Sequence, residues 1–135
     1  MIHANPLTQG IHHAGFSVPD LAATAAFFID TLNFTEVGAK PDYPALFLSD
    51  GTVMVTLWQL PKPEQANAFD RHQNVGLHHF ALTVNDLDEV HARLEQHAGV
   101  GVEFRPEPLG GSSTRHGMYT IPGGLRVEFI QPAAA

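Results

Sequence analysis

Apolar and polar positions alternate along two stretches of the chain that read almost alike. In IHHAGFSVPDL (Ile11–Leu21), Ala14, Phe16 and Val18 fall on one side of an extended strand, and His13, Gly15 and Ser17 on the other. In LHHFALTVNDL (Leu77–Leu87), Phe80, Leu82 and Val84 oppose His79, Ala81 and Thr83. Each strand runs into an aspartate, Asp20 or Asp86, suited to cap a helix. After Asp20, the residues Leu21, Ala25, Phe28 and Leu32 recur at helical spacing. After Asp86, Leu87, Val90 and Leu94 do the same, with acids in the first turn and Gly99 as the expected stop.

The likeness is an internal repeat. A shift of 66 positions lays His13 on His79 and Asp20 on Asp86. Further on, a shift of 72 lays SDGTVMVTLWQ (Ser49–Gln59) on IPGGLRVEFIQ (Ile121–Gln131), so the second half has gained six residues, near PLGGSSTRHG. Each half predicts a strand, a helix, and further strands ending in a hairpin turned by Asp50-Gly51 or Pro122-Gly123-Gly124. The expected organisation is one domain over 1–135, with modules at 9–60 and 75–131 and a polar, proline-marked linker at 61–74. Neither half, at about 55 residues, buries much core alone, so two sheets should close on each other or on a second chain.

Composition narrows the partners. The 135 residues carry a net charge of −7 with seven Lys+Arg, which argues against nucleic acid or an anionic membrane surface. The absence of cysteine excludes disulfides, thiolate metal sites and a cysteine nucleophile. MIHANPLTQG has neither a charged leader nor an apolar signal region, and no apolar run is long enough to cross a bilayer, so a soluble, cytoplasmic protein is expected. Nine histidines point toward metal or proton chemistry. Of these, His3, His72, His91 and His97 sit in tail, loop or helix-surface contexts and are expected to be solvated.

Strand parity sorts the remainder. The bulky apolar side of each first strand should pack under a helix and the small, polar side should line a cavity, which makes His13 and His79 the cavity histidines. His12 and His78 receive no chemistry. In the last strands, Val53, Val55 and Leu57 read as core, as do Leu125, Val127 and Phe129. Opposite them stand Met54, Thr56 and Trp58 in one copy, and Arg126, Glu128 and Ile130 in the other. Glu128 is a mid-strand carboxylate among apolar neighbours, which needs a cation or a partner such as Arg126 two residues away. His13, Thr56, His79 and Glu128 are thus repeat-equivalent, and His13, His79 and Glu128 make a three-ligand set leaving about half an octahedral shell open. His116 has two readings, an acid/base near neutral pH or a solvated loop histidine. Met54, Trp58 and Ile130 suit apolar walls, with Arg126 facing a substrate carboxylate. Trp58 equally suits core filling or a dimer contact.

The His13 strand with VPDL, the His79 strand with VNDL and the ending IPGGLRVEF resemble the vicinal oxygen chelate superfamily, over about Gln9 to Gln131. That superfamily groups glyoxalase I, extradiol dioxygenases, fosfomycin-resistance transferases and bleomycin-binding proteins. The resemblance implies an α+β fold of two βαβββ modules, whose curved mixed sheets form a metal-binding cup, usually in a homodimer. It carries the metal-ligand roles onto His13, His79 and Glu128. It implies one divalent ion (Fe, Mn, Ni or Zn) and a small substrate that chelates it through vicinal oxygens. The activity implied is that of a lyase/isomerase or a dioxygenase. The alternatives are a fosfomycin-type thiol transferase and a non-catalytic binding protein of the bleomycin-resistance type. Thr56 stands where glyoxalase I has a second glutamate. Met118 takes the place of a tyrosine in the dioxygenases, and His116 and Met118 the phosphonate-binding positions of fosfomycin enzymes. Thr56 and Met118 therefore join the expected substrate-facing set.

Overall fold

Asp20 and Asp86 start the two helices as the alternation predicts. The structure is a computed structural model that describes residues 4–134; His3 lies outside them. The Asp20 carboxylate accepts the Ala23 N–H at 3.0 Å and the Asp86 carboxylate the Glu89 N–H at 3.1 Å, opening α1 (Leu21–Ala26) and α2 (Leu87–Glu95). A second clamp is repeated. The side-chain carbonyl of Gln59 accepts the Leu21 N–H at 2.9 Å, and that of Gln131 accepts the Leu87 N–H at 2.8 Å. These matching glutamines tie each helix start to the end of its module's last strand, satisfying a donor the helix itself leaves free.

Two helix ends differ from expectation. α1 widens into a π-helical turn (Phe27–Thr31) that buries Phe27 and Phe28, and the chain then passes Asn33 in the left-handed region (φ 63°). α2 stops at Glu95 with Gln96 as its cap, so Gly99 is not the terminator. The Gly99 N–H instead donates to the His97 ring at 3.0 Å in the loop beyond.

The strands are β1 (His13–Val18), β2 (Thr35–Lys40), β3 (Ala45–Ser49), β4 (Met54–Gln59), β5 (Phe80–Thr83), β6 (Gly101–Pro108), β7 (Arg115–Thr120) and β8 (Arg126–Gln131). They form two mixed sheets, ordered β1-β4-β3-β2 and β5-β8-β7-β6. In each, the first strand runs parallel to the last and the other pairs are antiparallel. The fold is α+β, two βαβββ modules. The extra residues of the second half lengthen β6 and its turn into β7, at the Gly/Ser-rich segment.

Alternation also places the core. Phe16, Val18, Leu82, Val55, Leu57, Val127 and Phe129 are buried together, and the Phe16 and Phe80 rings meet edge to face at 5.3 Å across the two modules. Gly123 (φ 101°) lets the β7–β8 hairpin approach α1: a Cβ there would lie 2.9 Å from Thr24 Oγ1 and 3.3 Å from Val18. No helix among the described residues is long and apolar enough to cross a membrane.

His91 is not solvated. With Leu87 and Leu94 it lies on the inward face of α2, buried, and its Nδ1 accepts the Tyr119 hydroxyl at 2.7 Å while Nε2 lies 3.0 Å from Glu95. His97 is half-buried with its ring edge on Phe27, whereas His72 is exposed. The helical period, applied to His91 itself, would have found it.

Tyr119 is fully buried, and burial first, then the Glu95 carboxylate, pushes its phenol from 10.0 up to about 12. Its neutral form therefore favours the folded chain. That contribution is complete below pH 10 and is lost as pH rises through about 12. In an alkaline titration followed by ultraviolet absorbance, Tyr119 should ionise only together with unfolding. Tyr119→Phe, which leaves His91 Nδ1 without a donor, should cost about 1–3 kcal/mol in urea unfolding.

Candidate metal centre

Pairing of β5 with β8 sets Ala81 opposite Glu128 and Phe80 opposite Val127. His79, one residue before β5, projects to the same side as Ala81, and its Nε2 lies 3.2 Å from Glu128 Oε1. From the other flank β7 sets Met118 opposite Glu128 and His116 opposite Ile130, and His116 Nδ1 lies 2.6 Å from Glu128 Oε2. Each carboxylate oxygen of Glu128, which is only 8% exposed, thus faces an imidazole nitrogen. A carboxylate so desolvated is held only by cations or good donors.

His116 belongs to β7 rather than a loop. Its side chain is largely buried, with its ring edge on Phe104 at 4.8 Å and Nε2 3.9 Å from Glu107. The hydrogen bond from Nδ1 leaves Nε2 as the atom free to exchange a proton. Met118 is buried beside this pair, on the same face of the sheet as Glu128.

Arg126 does not pair with Glu128. Its guanidinium grips Glu103 through one edge, Nε to Oε1 at 2.8 Å and Nη2 to Oε2 at 2.6 Å. Those bonds hold the Glu103 carboxyl below its usual range and raise the guanidinium. The remaining Nη1 lies 3.2 Å from His78 Nδ1, so the group expected to meet a substrate carboxylate is already engaged. Burial, followed by the charge of Arg126, lowers the His78 pKa. Alternation does not mark Glu103 and Phe104, because β6 shifts register between Val102 and Phe104.

The first module presents the matching face with different chemistry. β1 sets His13 beside Met54, Gly15 beside Thr56 and Ser17 beside Trp58. Thr56 is buried, and its hydroxyl accepts the Trp58 indole N–H at 2.9 Å. Trp58 meets Tyr43 edge-on at 5.0 Å and lies against Phe47, so it is wedged within its own sheet face rather than in the shared core. His13 is exposed, with Nδ1 2.9 Å from His12 Nδ1.

Within one chain, His79, His116 and Glu128 meet and His13 does not join them. Asp50, in the hairpin before β4, lines a cavity with Leu82–Asp86, so the His13 end of β1 lies toward the far end of β5 from His79. Among the described residues no three His, Asp or Glu side chains surround a common point with room for an ion. The donor set nonetheless fits half of a divalent site. Two ligand atoms each about 2.1 Å from one ion lie about 3 Å apart, the spacing of His79 Nε2 and Glu128 Oε1. Exposed apolar residues flank both histidine pairs: Ile11 before His12, Val75 and Leu77 before His78.

A family model described as the Glyoxalase/Bleomycin resistance protein/Dioxygenase superfamily matches residues 10–129. The chain is 29% identical to the uncharacterized protein YaeR of Escherichia coli (strain K12), over 90% of this chain and 95% of that one. It is 27% identical to a 2-epi-5-epi-valiolone epimerase of Actinomyces sp, over 96% of this chain and 84% of that one. In fold it is similar to the fosfomycin resistance protein FosX of Listeria monocytogenes, with a TM-score of 0.73 at 17% identity, covering 94% and 96% of the two chains.

Thr56→Val removes the acceptor of the Trp58 N–H while keeping shape, and should cost about 1–3 kcal/mol. Because Trp58 is the sole tryptophan, its fluorescence reads the change directly. An unaltered emission and unfolding midpoint would mean that the hydrogen bond carries nothing.

Proposed function

Since this chain belongs to the Glyoxalase/Bleomycin resistance protein/Dioxygenase superfamily, we propose that it is a divalent-metal enzyme acting on a small substrate with two neighbouring oxygens. The observation that carries this reading is the buried Glu128 carboxylate with His79 Nε2 at 3.2 Å. His79 and Glu128 hold one ion together with His13 of a second copy of the chain. When bound, the ion supplies Lewis-acid polarisation of the substrate's oxygens. Iron, manganese, nickel and zinc all suit two imidazoles and a carboxylate.

The chain's own residues point to proton transfer of the lyase/isomerase kind. Glu128 Oε2 fixes the His116 ring through Nδ1, and Nε2 takes or returns a proton at the substrate carbon. Thr56, bound by the indole of Trp58, is no base at neutral pH, so His116 is the one acid/base assigned. Met54, Met118, Trp58 and Ile130 wall the cup. The epimerase relative supports this choice over dioxygenase, transferase or sequestration chemistry.

A homodimer completes the cup. Its support is the separation of His13 from His79 within a chain and the exposed Ile11, Val75 and Leu77 beside the histidine pairs, a surface that a second copy would cover.

Glu128→Ala should fold and lose divalent metal, read by elemental analysis of protein purified without chelators; unchanged metal content would remove Glu128 from the site. His116→Gln should keep the metal and lose deuterium wash-in from D2O into a panel of α-hydroxyketones, followed by NMR. Consumption of dioxygen with iron and a catechol would instead favour the oxygenase branch. Mixed subunits test the shared cup. His13→Ala and Glu128→Ala proteins, each metal-free, should after mixing regain about a quarter of the sites, since half the dimers are mixed and each holds one intact site. Sites contained within one chain would regain none.

A further inference from the structure

The doubled histidines leave one member of each pair without a role, and the second pair is tied into a chain of hydrogen bonds. Glu103 grips Arg126 through Nε and Nη2. Arg126 Nη1 faces His78 Nδ1 at 3.2 Å, and His78 Nδ1 lies 2.8 Å from His79 Nδ1. A guanidinium only donates, so the nitrogen it faces is an acceptor. His78 Nδ1 therefore carries no hydrogen, and the bond to His79 must be donated by His79 Nδ1. That leaves His79 Nε2 as the ligand nitrogen, aimed at Glu128 Oε1.

We propose that Glu103, Arg126 and His78 are positioning residues that fix His79 with its hydrogen on Nδ1 and its Nε2 lone pair turned into the cup. The inference rests on the metal reading above and adds what sets the ligand nitrogen. A metal-bound imidazole is commonly steered by an acceptor on its other nitrogen, usually a carboxylate or a carbonyl. Here the acceptor is a second imidazole, itself held by an ion pair. The first module lacks the device. Met54 occupies the repeat position of Arg126, so among the described residues the His12–His13 bond, 2.9 Å between Nδ1 atoms, has no guanidinium donor to set its direction. The two histidine ligands are accordingly unequal, His79 preset and His13 free to choose its tautomer.

Long-range 15N–1H NMR of the metal-free, 15N-histidine-labelled protein reads the assignment without any ion, at a pH above the ordinary imidazole pKa of about 6.5. The expected result is a protonated His79 Nδ1 and an unprotonated His78 Nδ1. Arg126→Met should mix the two directions of that bond and weaken zinc binding about tenfold by calorimetry. His78→Phe should weaken zinc similarly. His78→Asn, whose Oδ1 takes the place of Nδ1 as an acceptor, should restore it. Near-ultraviolet circular dichroism identifies any variant that fails to fold, and the wild-type spectrum then decides alone. A proton on His78 Nδ1 in the wild type overturns the relay, as does equal zinc affinity in folded Arg126→Met. Wild-type protein with the assigned hydrogens but no zinc affinity overturns the metal reading and leaves the hydrogen-bond direction standing.

Discussion

A parallel strand pair needs a long connection, and in each half of this chain that connection is a helix and two antiparallel strands. The last strand returns beside the first, pointing the same way. Three features of the molecule follow from that pairing. The end of the last strand reaches the helix start, where Gln59 and Gln131 bind the first backbone donors. The middle of the last strand lies beside the beginning of the first, which sets Glu128 within reach of His79. The neighbouring antiparallel strand then delivers His116 from the opposite flank.

Glu128 is the costly member of the arrangement. Its carboxylate is nearly out of water, and among the described residues no Lys or Arg pairs with it. Arg126, two residues away on the same strand face, is turned aside by the bidentate grip of Glu103, which matches a guanidinium better than one shared oxygen does. A permanent cation is thereby kept out of the centre, and the carboxylate is left facing two imidazoles, His116 through Nδ1 and His79 through Nε2.

Much of this was legible in the chain. Alternation sorted His13 and His79 from Phe16 and Leu82, and the Asp20 and Asp86 caps stand where the repeat puts them, because both signals depend only on neighbouring residues. The π-helical turn after α1, the early end of α2 and the burial of His91 were not, since they answer to packing: Phe27 and Phe28 into the core, and His91 onto Tyr119. The position of His116 was hidden by its Gly- and Ser-rich approach, which reads as loop although β7 begins at Arg115. Glu103 was hidden by the register shifts of β6.

The repeat also shows how one backbone plan yields two unequal halves. At matching positions the first module has Met54, Thr56 and Trp58, the second Arg126, Glu128 and Ile130. Thr56 spends its hydroxyl as acceptor for the Trp58 indole, a neutral bond that seals a wall. Glu128 keeps both oxygens turned toward titratable rings. A glutamate at position 56 would have to displace that indole bond and place a second carboxylate in the cup, where like charges resist sharing a dry site. Threonine avoids that repulsion and offers a neutral hydroxyl in place of a carboxylate.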